Sequence, residues 1–190
     1  MEKTITVING CRVNDHRYQK ILYERYYAFA LKTVFRYIYN YEEAIEVTND
    51  GFVKFFSRID KFRFDNEEDA EKLLSGWIRK IMINTSIDLL RKKMLLPEIG
   101  GIPDHVWDIK DKSPAADQKI IYKELITLVK KLPPAYRIVF NMQVIDGYTH
   151  IEIAETLGIP VNTSKSHLMR AKALMKKYLN EKEEVIPCSI

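Results

Sequence analysis

The stretch from Thr149 to Lys177 leaves this chain the least conformational freedom. Thr149-His-Ile-Glu152 forms a capping box: the threonine hydroxyl accepts from the backbone N–H three residues on, and Glu152 reaches back to the first free N–H. The helix it opens is expected to bury Ile151, Ala154 and Leu157. Gly158 supplies the left-handed backbone of a tight turn, Ile159 fills the angle, and Pro160 stops the first helix from running on. Asn162 or Thr163 then caps a second helix. Ala154 and Gly158 let the two helices cross closely, as a helix-turn-helix requires. The second helix turns Val161, Ser164, Leu168, Ala171 and Met175 inward, with Asn162, Ser166, Arg170 and Lys177 opposite and Lys165, Lys172 and Lys176 beside them. Residues 163–177 hold five basic side chains and no acidic one. A solvated hairpin could carry that charge, but its one-sidedness beside this turn chemistry favours a helix that enters a DNA groove. Its cations neutralise phosphates, while Arg170, Lys165, Ser166 and His167 reach base edges.

Upstream, apolar residues recur at helical spacing. Residues 17–40 align Ile21, Leu22, Tyr26, Phe29, Ala30, Val34 and Tyr37; residues 43–59 align Ala44, Val47, Phe52, Phe55, Phe56 and Ile59. Residues 72–93 align Leu73, Leu74, Trp77, Ile78, Ile81, Ile87 and Leu90, after a polar turn at Asp65-Asn66. Periodicity fails over 94–118, where Pro97, Gly100-Gly101, Pro103 and Pro114 interrupt it. Glu98, Asp104, Asp108, Asp111 and Asp117 outnumber Lys110 and Lys112 there, which reads as a flexible acidic linker. Helix resumes over 119–132, and Pro134 opens another through Val144, closed by Asp146-Gly147. The expected fold is all-α: two small helical domains, 17–93 and 119–178, joined by the linker 94–118, with an N-terminal extension 1–16 and a tail 179–190.

Several function classes are excluded. The longest apolar runs fall short of the ~18 residues a membrane span needs, and Met1-Glu-Lys-Thr-Ile-Thr-Val lacks the apolar core of a signal peptide. Cys11 and Cys188 sit near opposite ends, with no disulfide framework or metal pair. His16, His105, His150 and His167 lack ligand spacing, and neither a phosphate loop nor a nucleophile elbow is present. The reading is a cytoplasmic, non-enzymatic protein with no cofactor, no metal and no small-molecule substrate. A net charge of +4 is too small to imply nucleic acid, so its distribution decides.

That distribution has two poles in the first half. Arg79 to Lys93 holds five basic residues to one acid, with Asn84, Asp88 and Arg91 on one helical stripe suited to nucleic acid or to solvent. Glu42, Glu43, Glu46 and Asp50 make residues 42–50 acidic, which would repel phosphates and suits a basic protein partner. Gly51 within that helix costs up to ~1 kcal/mol in propensity, and no local reason for it is visible.

With these motifs in place the chain resembles the bacterial extracytoplasmic-function (ECF) sigma factors of the sigma-70 class, over about residues 17–178. Glu43-Ala-Ile-Glu46-Val-Thr-Asn49-Asp50-Gly-Phe52 looks like the conserved-region-2 helix that binds core RNA polymerase, which implies a polymerase-binding role for Glu46, Asn49, Asp50 and Phe52. Trp77 to Arg91 is similar to the segment that melts and reads the −10 element, implying contacts from Asn84, Asp88, Arg91 and Lys92. Leu132-Pro-Pro-Ala-Tyr-Arg-Ile-Val-Phe and Gly147 to Thr163 look like region 4, implying −35 contacts from Asn162, Thr163, Lys165, Ser166, His167 and Arg170. Two positions depart from the family pattern: Ser164 stands where an apolar residue is usual, and His167 where arginine is common. The resemblance implies three partners: core polymerase, promoter DNA and an inhibitory anti-sigma factor. It also gives the acidic linker a second meaning, a negative strand lying in a basic RNA channel. A conventional helix-turn-helix regulator, dimeric and independent of polymerase, is the main alternative.

Overall fold

The computed structural model describes residues 2–93 and 124–184, and all regular structure among them is helical. The chain divides into two units, Met1–Ser113 and Pro114–Ile190. The linker expectation for 94–118 and the second thiol, Cys188, lie outside the described residues.

The first unit holds α1 (Thr4–Arg12), α2 (His16–Phe35), α3 (Tyr41–Phe56), a 3₁₀ turn (Ile59–Lys61) and α4 (Glu67–Lys92). Short polar side chains start the helices: Asp15 accepts from Arg17 N–H, Asn40 from Glu43 N–H and Asn66 from Asp69 N–H, each filling a helix-end donor. Helical periodicity carries the core, with Leu22, Ala30, Val34, Ala44, Val47, Phe55, Leu74, Ile78, Ile87 and Leu90 all buried. Leu73 departs from expectation at 45% exposure, because Leu74 and Ile78 take the inward face of α4.

The extension at 1–16 is not an appendage. Val7, Ile8 and Cys11 of α1 are fully buried, and Asn14 turns the chain into α2 with a left-handed φ of 57°. Burial, reinforced by Asp15, pushes the Cys11 thiol up to about 11, so it is a packing residue rather than a nucleophile.

Gly51 finds its reason between α3 and α4. A Cβ there would sit 2.4 Å from Met82 Sδ and 2.9 Å from its Cε. The missing side chain lets Met82, itself fully buried, fill the seam between the helices.

The second unit holds α5 (residues 124–130), α6 (Pro134–Phe140) running into one π turn (Asn141–Ile145), α7 (His150–Leu157) and α8 (Val161–Glu184). The buried Arg137 donates to the Lys130 carbonyl at 2.9 Å, satisfying the end of α5 with a cation. Asp146 N–H reaches back to the Asn141 carbonyl at 3.0 Å, closing the wide turn before Gly147 takes φ 76°.

Candidate nucleic-acid interfaces

In the second unit α7 and α8 form the expected helix-turn-helix. Thr149 Oγ1 accepts from Glu152 N–H at 3.2 Å, and the Thr149 N–H donates to Glu152 Oε2 at 2.9 Å. Gly158 adopts φ 67°, ψ 36°, and the Ile159 N–H returns to the Ala154 carbonyl at 3.1 Å. Three local expectations are corrected. Ile151 is 62% exposed, because α7 packs through Ile153 and Ala154, a face that leaves Ile151 toward solvent. Leu157 is half-buried. Asn162 and Thr163 are not caps: α8 already begins at Val161, and the Thr163 and Ser164 N–H groups bond the Pro160 carbonyl at 3.0 and 3.1 Å.

Ser164, the polar residue in an apolar position, is fully buried and lies 2.9 Å through its Oγ from His150 Nδ1. A hydrogen bond between the two helices therefore stands where a hydrophobic plug would. It satisfies a hydroxyl that would otherwise cost about 1–3 kcal/mol to bury.

The outward face of α8 presents Asn162, Lys165, Arg170, Lys172, Lys176 and Lys177 exposed, while Thr163 and Ser166 are half-buried and Ser166 Oγ donates to the Thr163 carbonyl at 3.0 Å. Met169 lies on the same face at 66% exposure. The sequence reading missed it; its spacing of three from Ser166 was the available signal. His167 sits on the flank, its ring 5.1 Å from that of Tyr136. Burial and then Arg170 hold its imidazole below the ordinary histidine range, and its Nδ1 is buried without a hydrogen-bond partner. It is thus a wedge between α6 and α8, neutral near pH 7. Because the unfolded chain takes up this proton first, its contribution to stability is complete above about pH 6.5 and is lost as pH falls below that. Between pH 7.5 and 5.5 the wild type should lose more thermal stability than His167→Gln. Equal losses in the two proteins would remove His167 as the cause.

In the first unit the C-terminal half of α4 keeps Asn84, Asp88, Arg91 and Lys92 all exposed. Asp88 is not a free acceptor: Lys54 of α3 meets its Oδ2 at 3.3 Å and also donates to Thr85 Oγ1 at 3.3 Å. Lys93 pairs with Glu43, joining the end of α4 to the start of α3. Farther back, Arg79 lies over the Phe29 ring at 5.3 Å.

The polar turn before α4 also carries cations. Arg58, Lys61 and Arg63 are exposed around a half-buried Phe64. Arg12 of α1 holds this loop, donating to the Phe62 carbonyl at 2.6 Å and lying over Phe64 at 5.7 Å. Phe62 in turn stacks on Trp77 at 5.3 Å.

On α3, Glu46, Asn49 and Asp50 form one exposed face, extended by Val53 at 68% exposure. Tyr23 OH donates to Asn49 Oδ1 at 2.9 Å, which orients that amide. Phe52 is only 2% exposed and packs against the Tyr23 ring at 4.8 Å, so it supports this face from beneath rather than lying on it. Among the described residues no acidic, His or Cys group is arranged to hold a metal, and no helix is long and apolar enough to cross a membrane.

These surfaces coincide with known sequence families. Residues 22–95 match the family described as Sigma-70 region 2, and residues 122–175 match Sigma-70, region 4. ECF RNA polymerase sigma factor SigW of Bacillus subtilis is 29% identical over 157 residues, covering 77% of this chain and 81% of that protein. RNA polymerase sigma factor SigV of the same organism is 26% identical over 152 residues, covering 80% and 85%. RNA polymerase sigma-H factor of Pseudomonas aeruginosa is 23% identical over 188 residues, 94% of each chain. The solved structure of CnrH in complex with the cytosolic domain of CnrY shares the fold, with TM-score 0.52 at 17% identity over 95% of this chain and 99% of that one. With one unit matching region 2, the other region 4, and an ECF RNA polymerase sigma factor among relatives matched over most of their length, the chain belongs to the ECF group of the sigma-70 family.

Proposed function

We propose that this protein is a sigma factor whose first unit docks on core RNA polymerase through the α3 face and opens the −10 element, while its second unit reads the −35 element through α8. The observation that carries the reading is the segregation of charge within the region 2 unit. An acidic face at Glu46, Asn49 and Asp50 suits a basic protein surface, while α4 offers exposed Asn84, Arg91 and Lys92 to nucleic acid. Asp88, paired with Lys54, orients that surface more than it contacts DNA.

No covalent chemistry is involved; the polymerase supplies it. Unstacking a base costs a few kcal/mol, so the first unit must offer compensating contacts to an extruded strand. Asn84 hydrogen-bonds, Arg91 and Lys92 neutralise phosphates, and the loop of Arg58, Lys61 and Arg63 around Phe64 adds cations beside an aromatic ring. On α8, Lys165 and Arg170 combine phosphate and base-edge contacts, Asn162 and Thr163 lie at the helix start, and Met169 offers an apolar side chain to a thymine methyl. Ser166 and His167 contribute less directly, the first through its bond to Thr163 and the second by packing against Tyr136.

The protein works in the cytoplasm with the polymerase. An inhibitory protein partner is part of the proposal, since the structurally similar CnrH is solved with the cytosolic domain of CnrY. The conventional-regulator alternative is not favoured, because it leaves the region 2 match unused.

The test is reconstitution with core polymerase on a promoter library. The holoenzyme should initiate on a restricted set sharing −10 and −35 elements, while the free protein binds the same duplexes weakly. Initiation nowhere above the core enzyme's background, or tight paired-site binding by the free protein, would overturn the assignment.

A further inference from the structure

We propose that Tyr136, which lies on α6 outside the helix-turn-helix, is a positioning residue that sets Arg170 for base reading. Tyr136 OH accepts from Arg170 Nη1 at 3.0 Å, and the Arg170 guanidinium lies 6.0 Å from the Tyr136 ring centre. The same ring also meets His167, one helical turn back on α8, at 5.1 Å between ring centres. One aromatic side chain is thus held by His167 and itself holds Arg170. The proposal rests on α8 being the reading helix.

The physical case is one of entropy and direction. An arginine on an exposed helix face samples many rotamers, and ordering them at the moment of binding weakens the contact. A guanidinium carries several N–H donors in a planar fork, so one bond to a phenol leaves others for a guanine edge or a phosphate. The hydroxyl contributes little to folding, because its bond to Arg170 lies at an exposed edge. Packing of Tyr136 against His167 uses the ring, which phenylalanine would preserve.

Tyr136→Phe therefore separates the two roles of this side chain. The experiment compares holoenzymes containing wild-type protein, Tyr136→Phe, Arg170→Ala and the double variant on a library randomised across the −35 element with a fixed −10 element. Arg170→Ala should abolish preference at one or two base pairs. Tyr136→Phe should weaken preference at those same base pairs about three- to tenfold and leave the other positions unchanged. The double variant should be no less selective than Arg170→Ala, and the unfolding temperature of Tyr136→Phe should match wild type. A Tyr136→Phe profile equal to wild type, or a uniform loss at all positions with a lowered unfolding temperature, would overturn the proposal while leaving α8 as the reader. If Arg170→Ala itself changes no preference, the assignment of Arg170 to base reading falls and this inference falls with it.

Discussion

Gly51→Leu is expected to destabilise the first unit by about 2–3 kcal/mol, lowering its unfolding temperature by roughly 10–20 °C. The cause is the seam between α3 and α4, where a Cβ on residue 51 already falls 2.4 Å from Met82 Sδ. Met82 and the neighbouring Phe52 and Phe55 are buried, so a branched side chain has nowhere to go without separating the helices. Gly51→Ala is the control. Its single methyl meets only the far end of a flexible methionine, and alanine recovers up to ~1 kcal/mol of helix propensity. It should stay within about 1 kcal/mol of wild type. Thermal melts of the three full-length proteins decide the point, and an unshifted Gly51→Leu melt would mean that α3 and α4 are not pressed together there.

The second large effect is on assembly. Reversing Glu46 and Asp50 together to lysine is expected to weaken binding to core polymerase by about 100-fold or more, since like charges placed across an interface cost several kcal/mol. Both side chains are exposed, so the unfolding temperature should hold. Titrating a labelled protein with core enzyme at low and moderate salt measures the loss directly. Affinity within threefold of wild type would mean that the acidic face of α3 is not the docking surface. Val53, exposed beside Asp50, offers a separate check on whether the contact is also apolar.

Much of this architecture was legible in one dimension because it is local. Capping boxes, a glycine followed by a proline, and apolar residues at period 3.6 act over one or two helical turns. The helix-turn-helix at Thr149–Gly158, Pro134 at a helix start and the α2 to α4 helices follow from such terms. The errors were also local in kind. Phasing α7 on Ile151 instead of Ile153 is a slip of two residues, which a short helix with apolar side chains at 151, 153 and 154 invites. Placing a cap at Asn162 overlooked that Pro160 can itself stand just outside a helix and lend its carbonyl to the first turn.

What the sequence determined by itself was the helical class, the two-part organisation and the sign of charge on each face, because these depend on residue type and spacing. Tertiary structure decided which side chains on those faces are available. Asp88 is engaged by Lys54, Phe52 lies under its surface, and Arg170 is tied to Tyr136, all across separations of 30 residues or so that no local rule spans. It also gave Gly51 a purpose in Met82 and Ser164 a partner in His150. Each of these rests on two helices meeting at a particular point, and that point exists only once the cores have packed.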